Sequence, residues 1–358
     1  MQKSVENQTL VGRPTSNNAS NEVGGMRRWS GDQRQTDQRK TDQRKTDQRQ
    51  IQIDVIGLGA STMDVLTLVE HFPKGREVQQ ALSTVIQGGG PVATAMVTIS
   101  RLGGRTAMVD SIGDDWVGDL VLRNFQSEGV GTEMIEINHG HTTAISNILV
   151  SAADGARAIM FLPGSTPEPL LSESQKAAIQ SAKMIHINGR YSKACMGAIA
   201  LAKAGNVLVS FDGGADRFRP EMKTLVPLTD ICIVAKDFAE KYTGEYELSR
   251  SAKLLLKEGP KIAVVTDGIR GSWVCTTDGL SFHQPAFLFP KTVDTTGCGD
   301  SYHGAFLFGL LRGFAVEKTA ALASAVAAMN SQQLGGRSGI PKLDEVINFL
   351  AGYDVMLG

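Results

Sequence analysis

The chain has 358 residues, of which 42% are hydrophobic and 20% are charged, and its formal net charge at pH 7 is −1. These proportions are ordinary for a globular protein, and the charge balance provides no basic surface of the kind that binds nucleic acid. No run approaches eighteen apolar residues and no signal peptide is apparent, so we expect a cytoplasmic protein without a membrane segment. The cysteines lack metal-finger spacing, which favours free thiols in a reducing compartment: Cys195, Cys232, Cys275 and Cys298.

The first fifty residues differ in character from the rest of the chain. Residues 36–50 read TDQRK, TDQRK and TDQRQ, and GDQRQ at 31–35 adds a fourth copy of the unit. These copies contain no apolar residue, so they cannot bury enough surface to offset the entropy of ordering. We therefore expect a disordered, basic, low-complexity tail over residues 1–50 and a folded domain over 51–352.

Short β-branched runs alternate with helical patterns beyond the tail. Strands are predicted at 53–58, 106–110, 184–188, 207–212, 231–234 and 262–266. Helices are predicted near 92–102, 117–128, 173–181, 193–204, 236–242, 249–258 and 315–333. Such alternation is typical of an α/β fold with a mostly parallel sheet and helices on both faces, where ligands bind at the carboxyl ends of the strands. Two segments depart from it, 66–87 and 142–163, and they are expected to form extended strands.

The sequence DTTGCGD at 294–300 precedes an apolar helical run that ends at Leu311. A helix beginning near Cys298 to Asp300 leaves its first N–H groups without partners, and Gly297 and Gly299 let these donors converge on an anion. Asp300 beside them could accept a proton from an attacking hydroxyl while the N–H groups stabilise phosphoryl oxygens. The pattern therefore indicates phosphoryl transfer, although a bare glycine-rich turn capped by an Asp is the plainer alternative.

Further motifs accompany this one in a fixed order. They are IDVIGLG at 53–59, GGGPVATAMVTISRLGG at 88–104, SIGDDWVGDLVLRNFQSEGV at 111–130 and AVVTDGIRGSWV at 263–274. Together with DTTGCGD they resemble the ribokinase-like (PfkB-type) carbohydrate kinase family over roughly residues 51–352. An oxidoreductase is the competing interpretation of GLGAST at 57–62, but the third glycine and the later acidic residue of a dinucleotide-binding turn are missing.

The resemblance implies a ribokinase-like fold in which strands within about 66–87 and 142–163 form a small β-sheet lid over the sugar. It also implies ATP and Mg²⁺ as cofactors, a sugar as substrate, and a homodimer formed through the lid. Asp300 corresponds to the catalytic base, and the anion hole is assigned to Gly297, Cys298, which stands where the family usually has Ala, and Gly299. The residues that line the nucleotide are taken to be Thr266, Gly268 and Gly271.

The substrate residues implied by the resemblance are Asp64, Gly89, Gly90 and Thr94. The family more often has Asn where this chain has Thr94, which weakens a prediction of ribose or adenosine as substrate. Motif details resemble the sulfofructose kinases, which act on a ketohexose with an anionic group, so Arg76 and Arg190 are candidates for binding that group. A sugar phosphate, a neutral sugar such as ribose or fructose, and a non-catalytic nucleotide-binding relative remain alternatives, and both Arg side chains could equally be solvated.

Two cation sites also follow from the resemblance. Asp294 and Thr296, with carbonyl groups around Arg337 to Gly339, correspond to a site for a monovalent cation, K⁺. The family's Asn-x-x-Glu pair is replaced by Ala235 and Phe238, so Mg²⁺ is expected to be held mainly through water and the ATP phosphates.

Overall fold

The computed structural model describes residues 52–153 and 155–357, so the predicted tail at 1–50 lies outside the described residues. The strands are β1 Val55–Leu58, β2 Thr62–Val69, β3 Ser83–Gly89, β4 Thr106–Gly113, β5 Val130–Gly131, β6 Ile135–Asn138, β7 Ile145–Ser151, β8 Arg157–Leu162, β9 Met184–Ile187, β10 Leu208–Gly213, β11 Ile231–Ala235, β12 Ile262–Thr266, β13 Ser272–Thr276 and β14 Ser281–Gln284. The helices are α1 Pro91–Arg101, α2 Trp116–Ser127, α3 Glu173–Ser181, α4 Ser192–Ala204, α5 Lys236–Thr243, α6 Leu248–Lys257, α7 Cys298–Leu311, α8 Val316–Asn330 and α9 Leu343–Ala351.

Ten strands form the central sheet, in the order β14-β13-β12-β11-β10-β9-β1-β4-β5, with β6 paired to β4. Every pairing from β12 to β5 is parallel, whereas β13 pairs antiparallel with both β12 and β14. Side chains on a strand alternate between two buried clusters. Ile231 and Ile233 pack with α1, α7, α8 and α9, whereas Cys232 and Val234 pack with α4, α5 and α6. The α/β fold with a mostly parallel sheet and helices on both faces is therefore confirmed.

A separate four-stranded sheet has the order β3-β2-β7-β8. Strands β2 and β7 pair in parallel, while β3 and β8 lie antiparallel at its edges. This sheet corresponds to the expected lid, and we call it the lid sheet. Its first two strands span residues 62–89 of the chain, so they extend beyond the predicted range 66–87 on both sides. None of the helices within the described ranges is long and apolar enough to cross a membrane.

Asp54, just before β1, binds residues that lie just before two neighbouring strands, β4 and β9. Its carboxylate accepts hydrogen bonds from the Arg105 backbone N–H at 3.0 Å and from the Arg105 guanidinium at 3.0 and 3.1 Å, and Lys183 Nζ lies 2.9 Å away. Burial acts to raise the pKa of Asp54, but Arg105 and Lys183 outweigh it and hold that pKa well below its usual value.

Replacing Asp54 with Asn should lower the free energy of unfolding at pH 7 by about 1–3 kcal/mol, because hydrogen bonds to a charged group are lost. A depressed folded-state pKa contributes stability above the unfolded value of about 4 and loses it as the pH falls further. Urea unfolding from pH 7 to pH 3 should therefore show the difference shrinking below about pH 4. Asp119→Asn, an exposed control on α2, should change stability by less than about 0.5 kcal/mol. A difference that stays constant with pH would contradict the role given to the Asp54 charge.

Candidate active site

The loop before α7 is fixed by Asp294. This fully buried carboxylate accepts hydrogen bonds from the Thr296 N–H and hydroxyl at 2.8 and 2.7 Å, and from the Gly335 N–H at 2.9 Å. Gly297 follows with φ 70° as the N-cap of α7. A Cβ at Gly297 would lie 2.2 Å from the Gly336 carbonyl oxygen, so both the backbone conformation and the available space require glycine here. The loop thus delivers the chain directly into the first turn of α7.

Asp300 lies in that first turn, as expected from the sequence. Its side chain is 20% exposed, and its Oδ1 lies 3.8 Å from Nη1 of Arg217, which is also 3.9 Å from Oδ2 of Asp212. Burial raises the pKa of Asp300; the Arg217 charge acts against this shift and the Asp212 charge adds to it. A carboxylate in the first turn of a helix, with a raised pKa, is suited to receive a proton.

Asp64, a predicted substrate residue, lies within β2 of the lid sheet. Its buried carboxylate accepts a hydrogen bond from the Thr62 hydroxyl at 2.7 Å. A Cβ at Gly89 would lie 2.0 Å from an Asp64 carboxylate oxygen, so this glycine makes room for the carboxylate. Burial raises the pKa of Asp64; the Arg337 charge acts against this shift and the Asp300 charge adds to it.

The Arg337 side chain links three segments around the site, a role that the sequence did not predict. It is 2% exposed and donates from Nε to the Thr94 hydroxyl at 3.0 Å, from Nη1 to Asn124 Oδ1 at 2.7 Å and from Nη2 to the Gly89 carbonyl at 2.8 Å. Burial lowers its pKa to about 10, and it remains a cation at neutral pH. Thr94 is itself buried and holds this guanidinium, so its direct contact with substrate stays a prediction.

A cleft of about 680 Å³ opens beside the β12–β13 turn. Its lining is Tyr246, Glu247, Leu248, Ile269, Arg270, Trp273, His283, Pro285, Ala286 and Leu288. Gly268 and Gly271 flank Ile269 and Arg270 with φ values of 52° and 87°, and Thr266 ends β12. A Cβ at Gly271 would lie 2.1 Å from the Gln284 carbonyl oxygen, so the turn again requires glycine. Gly268 and Gly271 are therefore sequence neighbours of two lining residues, whereas none of the three predicted nucleotide residues lines the cleft itself.

A family model described as pfkB family carbohydrate kinase matches residues 52–343. The chain belongs to this family of carbohydrate kinases. It is 28% identical to fructokinase-2 of Solanum lycopersicum, covering 83% of this chain and 96% of that protein, and 23% identical to mouse ketohexokinase, covering 82% and 98%. Among solved structures, Arabidopsis thaliana ribokinase complexed with ribose and ATP aligns with a TM-score of 0.74 at 22% identity, covering 84% of this chain and 99% of that one. The family resemblance and the ribokinase-like fold are confirmed.

The remaining predicted substrate residues of this carbohydrate kinase occupy different settings. Gly90 has φ 92° and is the N-cap of α1. Arg190 follows β9 and is exposed, with its guanidinium 5.7 Å from the ring centroid of Phe161 on β8 of the lid sheet. Arg76 is exposed in the connection between β2 and β3, and no hydrogen bond or ion pair joins it to another described residue. Arg190 is therefore the one of the two cations that meets the lid.

Cys298 opens α7 as a half-buried residue, with its Sγ 4.0 Å from the Asp294 carbonyl oxygen. Burial raises the pKa of its thiol to about 12, so the side chain is neutral at physiological pH. A Cβ on the neighbouring Gly299 would meet no atom within 4 Å, so space on this side of the helix start is open. Its backbone N–H donates to the Thr295 carbonyl oxygen at 3.3 Å, so the part of Cys298 in an anion hole stays a prediction.

The predicted monovalent-cation residues pair mainly with one another. Asp294 and Thr296 share two hydrogen bonds, and a Cβ at Gly339 would lie 2.5 Å from the Asn330 carbonyl oxygen. The Arg337 carbonyl oxygen accepts a hydrogen bond from Arg101 at 2.7 Å. The two loops, 294–296 and 335–339, meet where the Gly335 N–H donates to the Asp294 carboxylate at 2.9 Å, and K⁺ binding between them stays a prediction.

Proposed function

We propose that this carbohydrate kinase transfers the γ-phosphoryl group of ATP to a primary hydroxyl of a ketohexose. The observation that carries the proposal is the position of Asp300 at the start of α7: Gly297 there abuts Gly336, and the adjacent Arg337 donates to the Gly89 carbonyl beside Asp64. Asp64 is a carboxylate suited to a pair of sugar hydroxyls, and it lies on the lid sheet. With the sugar bound there, Asp300 lies beside the sugar hydroxyl that attacks the γ-phosphoryl group.

The mechanism assigns a defined proton transfer to Asp300. Its carboxylate accepts the proton of the attacking hydroxyl as that oxygen bonds to phosphorus, while the backbone N–H groups of Gly297 to Asp300 stabilise the transferred charge. ATP, when bound, supplies the phosphoryl group. The cleft beside Gly268 and Gly271 fits its nucleoside portion, since Trp273 and His283 there offer aromatic surface. A lid that closes over the sugar would exclude water from the reacting groups.

Magnesium fits this arrangement as an ion held largely by phosphate oxygens and water. Phe238, at one position of the family's Asn-x-x-Glu pair, is fully buried and packs against Tyr242 and Phe218. The carboxylates beside the nucleotide turn already have partners, since Asp267 accepts hydrogen bonds from Arg270 at 2.6 and 2.7 Å and Lys236 lies 3.7 Å from Glu240. K⁺ at Asp294, Thr296 and Gly339 belongs to the same proposal, and replacing K⁺ by a bulky organic cation in the assay tests it.

The substrate class is proposed to be an anionic ketohexose, such as sulfofructose or a sugar phosphate. Arg190 supports this choice because it stands at the carboxyl end of β9 and faces Phe161 of the lid sheet. A neutral sugar is the second candidate, favoured by the similarity to proteins named fructokinase and ketohexokinase. Arginine recognises a sulfonate or phosphate with charged, bidentate hydrogen bonds, which a neutral sugar cannot accept in the same way.

A coupled ADP-release assay should separate these candidates with sulfofructose, fructose 6-phosphate, fructose and ribose as substrates. If the substrate is anionic, Arg190→Met should raise KM for it by about tenfold to a hundredfold, the range for a hydrogen bond to a charged group, and leave kcat nearly unchanged. Arg312→Met is the matched control, since Arg312 also lies 5.7 Å from a Phe ring centroid but at the end of α7. An equal rise in KM for neutral and anionic sugars would show that Arg190 does not bind the anionic group. Thermal stabilisation by ATP without turnover of any sugar would instead favour a non-catalytic relative.

A homodimer through the lid sheet belongs to the same proposal. Strand β8 is an edge of that sheet, and its apolar residues Ile159, Met160 and Phe161 are 53%, 54% and 46% exposed. An edge strand with exposed apolar side chains can pair with the same strand of a second copy. Light scattering of the wild type and of a Met160→Lys variant tests this expectation. The cytoplasmic location and the absence of a nucleic-acid partner stay predictions.

A further inference from the structure

A polar cluster lies inside the molecule where the sheet meets α7. His186 on β9, Asp212 on β10 and His303 on α7 are 0%, 1% and 3% exposed. One ligand atom of each, a ring nitrogen or a carboxylate oxygen, lies within 4.8 Å of the others. The proposed phosphoryl transfer uses none of the three side chains, so the cluster calls for its own account.

The positions follow from strand alternation. His186 is in register with Ser210, and Asp212 comes two residues later on the same strand, so all three point to one face of the sheet. Their sequence neighbours point the other way: Ile187, which follows His186, and Phe211, which lies between Ser210 and Asp212, belong to the core cluster on the opposite face. Three neighbouring positions on this face, His186 on β9 and Ser210 and Asp212 on β10, are therefore polar where buried strands normally carry aliphatic residues.

Several atoms of this cluster have no hydrogen-bond partner among the described residues. They are Nε2 of His186, both carboxylate oxygens of Asp212 and Nδ1 of His303. The closest approach recorded between a His and the carboxylate is 3.8 Å, from His303 Nε2 to Asp212 Oδ1, which is too long for a hydrogen bond. Buried polar atoms are nearly always paired, so this many convergent unpaired atoms indicate that something else binds between them.

The donor set identifies the chemistry of that ligand. A neutral imidazole offers a ring-nitrogen lone pair, and Nε2 of His186 and Nδ1 of His303 have no hydrogen-bond partner among the described residues. Two neutral imidazoles and one carboxylate suit a first-row divalent metal, whereas Mg²⁺ prefers oxygen ligands alone. The other ring nitrogen of His186 lies 3.1 Å from the Ser210 hydroxyl, which orients the ring as the outer partner of a ligating histidine does.

We propose that His186, Asp212 and His303 bind one divalent transition-metal ion, such as Zn²⁺, between β9, β10 and α7. The inference rests on the fold and does not depend on the proposed sugar substrate. Arg217 lies near Asp212, but its Nη1 is 3.9 Å from Oδ2, which is too long for a hydrogen bond, so both carboxylate oxygens keep lone pairs for a metal ion. The ion holds two strands of the sheet to the helix that begins with the anion hole.

Cobalt is the probe for this site, because Co²⁺ in such a ligand set absorbs visible light. The full-length chain is dialysed against a chelator and titrated with Co²⁺ in excess Mg²⁺, which occupies the oxygen-only sites. We expect one Co²⁺ per chain, displaced by Zn²⁺, and a rise in Tm with excess Zn²⁺. His186→Gln and His303→Gln should each weaken binding by at least about a hundredfold, and Ser210→Ala by about tenfold, the scale of an outer partner.

The matched control is His139→Gln, which removes a surface imidazole whose side chain is 92% exposed and should leave Co²⁺ binding unchanged. A wild type that takes up no stoichiometric metal would overturn the proposal in favour of a water-filled polar cluster, as would unchanged binding in both His variants. X-ray absorption of the Zn²⁺-loaded wild type does not depend on any variant folding. It should show two imidazoles and no sulfur, and sulfur ligation would place the ion on a cysteine instead.

Discussion

Asp300→Asn should lower kcat by at least about a hundredfold while ATP still binds. The amide keeps the size of the carboxylate, so the helix start and the cleft beside Gly268 and Gly271 are preserved, but it cannot accept the proton of the sugar hydroxyl. Loss of a general base typically costs a factor of about 10²–10⁴. Steady-state assays with the preferred sugar give kcat, and calorimetric titration with MgATP gives the binding constant.

Asp344→Asn is the matched control for this substitution. Asp344 is also an acidic residue in the first turn of a helix, α9, but it is exposed. The control should keep wild-type kcat, because the two substitutions change the helix dipole interaction alike and only one removes the proposed base. Near-normal turnover of Asp300→Asn would refute the assignment. Equal losses in both variants would attribute the effect to the helix start.

The same carboxylate predicts the acid side of the pH profile. Asp300 must be ionised to accept a proton, and burial raises its pKa from the usual carboxyl value. Activity is present above that raised pKa and is lost as the pH falls through it. The acid limb of kcat/KM should therefore lie at a higher pH than that of an ordinary carboxylate, and Arg217→Gln should move it higher still, since the Arg217 charge opposes the shift. A limb that moves down in this variant would contradict the account.

The parts of the site that the sequence predicts are those encoded by contiguous residues. Asp294, Gly297 and Asp300 fall within seven positions, and the loop, the left-handed glycine and the helix start all follow from local backbone chemistry. The predicted helix 173–181 coincides with α3, whose Ser172 and Gln175 form a capping box. Local signals of this kind can be read without knowing the fold.

What the sequence does not disclose depends on contacts between distant segments. Arg337 donates hydrogen bonds to Thr94 and Gly89, which lie more than two hundred positions away in the sequence, so the residues around GGRSG do not predict its role. His303 looks like an ordinary helix residue in SYHGAF until β9 and β10 bring His186 and Asp212 beside it. The placement of Asp64 inside β2 likewise depends on register with β3 and β7, which the periodicity of one strand does not fix.

Gly297→Ala should lower kcat/KM by at least about a hundredfold without unfolding the protein. An Ala at φ 70° costs about 1–2 kcal/mol in backbone strain, and its Cβ would lie 2.2 Å from the Gly336 carbonyl oxygen. Either the loop at 294–297 or the loop at 335–337 must therefore move. Both shape the site, because one leads into Asp300 and the other carries Arg337. The N–H groups of the anion hole would then no longer converge on the transferred phosphoryl group.

Gly313→Ala separates the clash from the strain. Gly313 follows the other end of α7 with φ 74°, nearly the same conformation, yet a Cβ there would meet no atom within 4 Å. This variant should lose about 1–2 kcal/mol of stability and keep its kcat/KM, since the same strain occurs far from the loop contact. Steady-state kinetics and urea unfolding of both variants give the comparison. If Gly313→Ala lost activity to the same degree, backbone strain in α7 rather than the contact between the two loops would explain the effect. If Gly297→Ala kept its activity, the N–H groups at the helix start would not need their present positions for phosphoryl transfer.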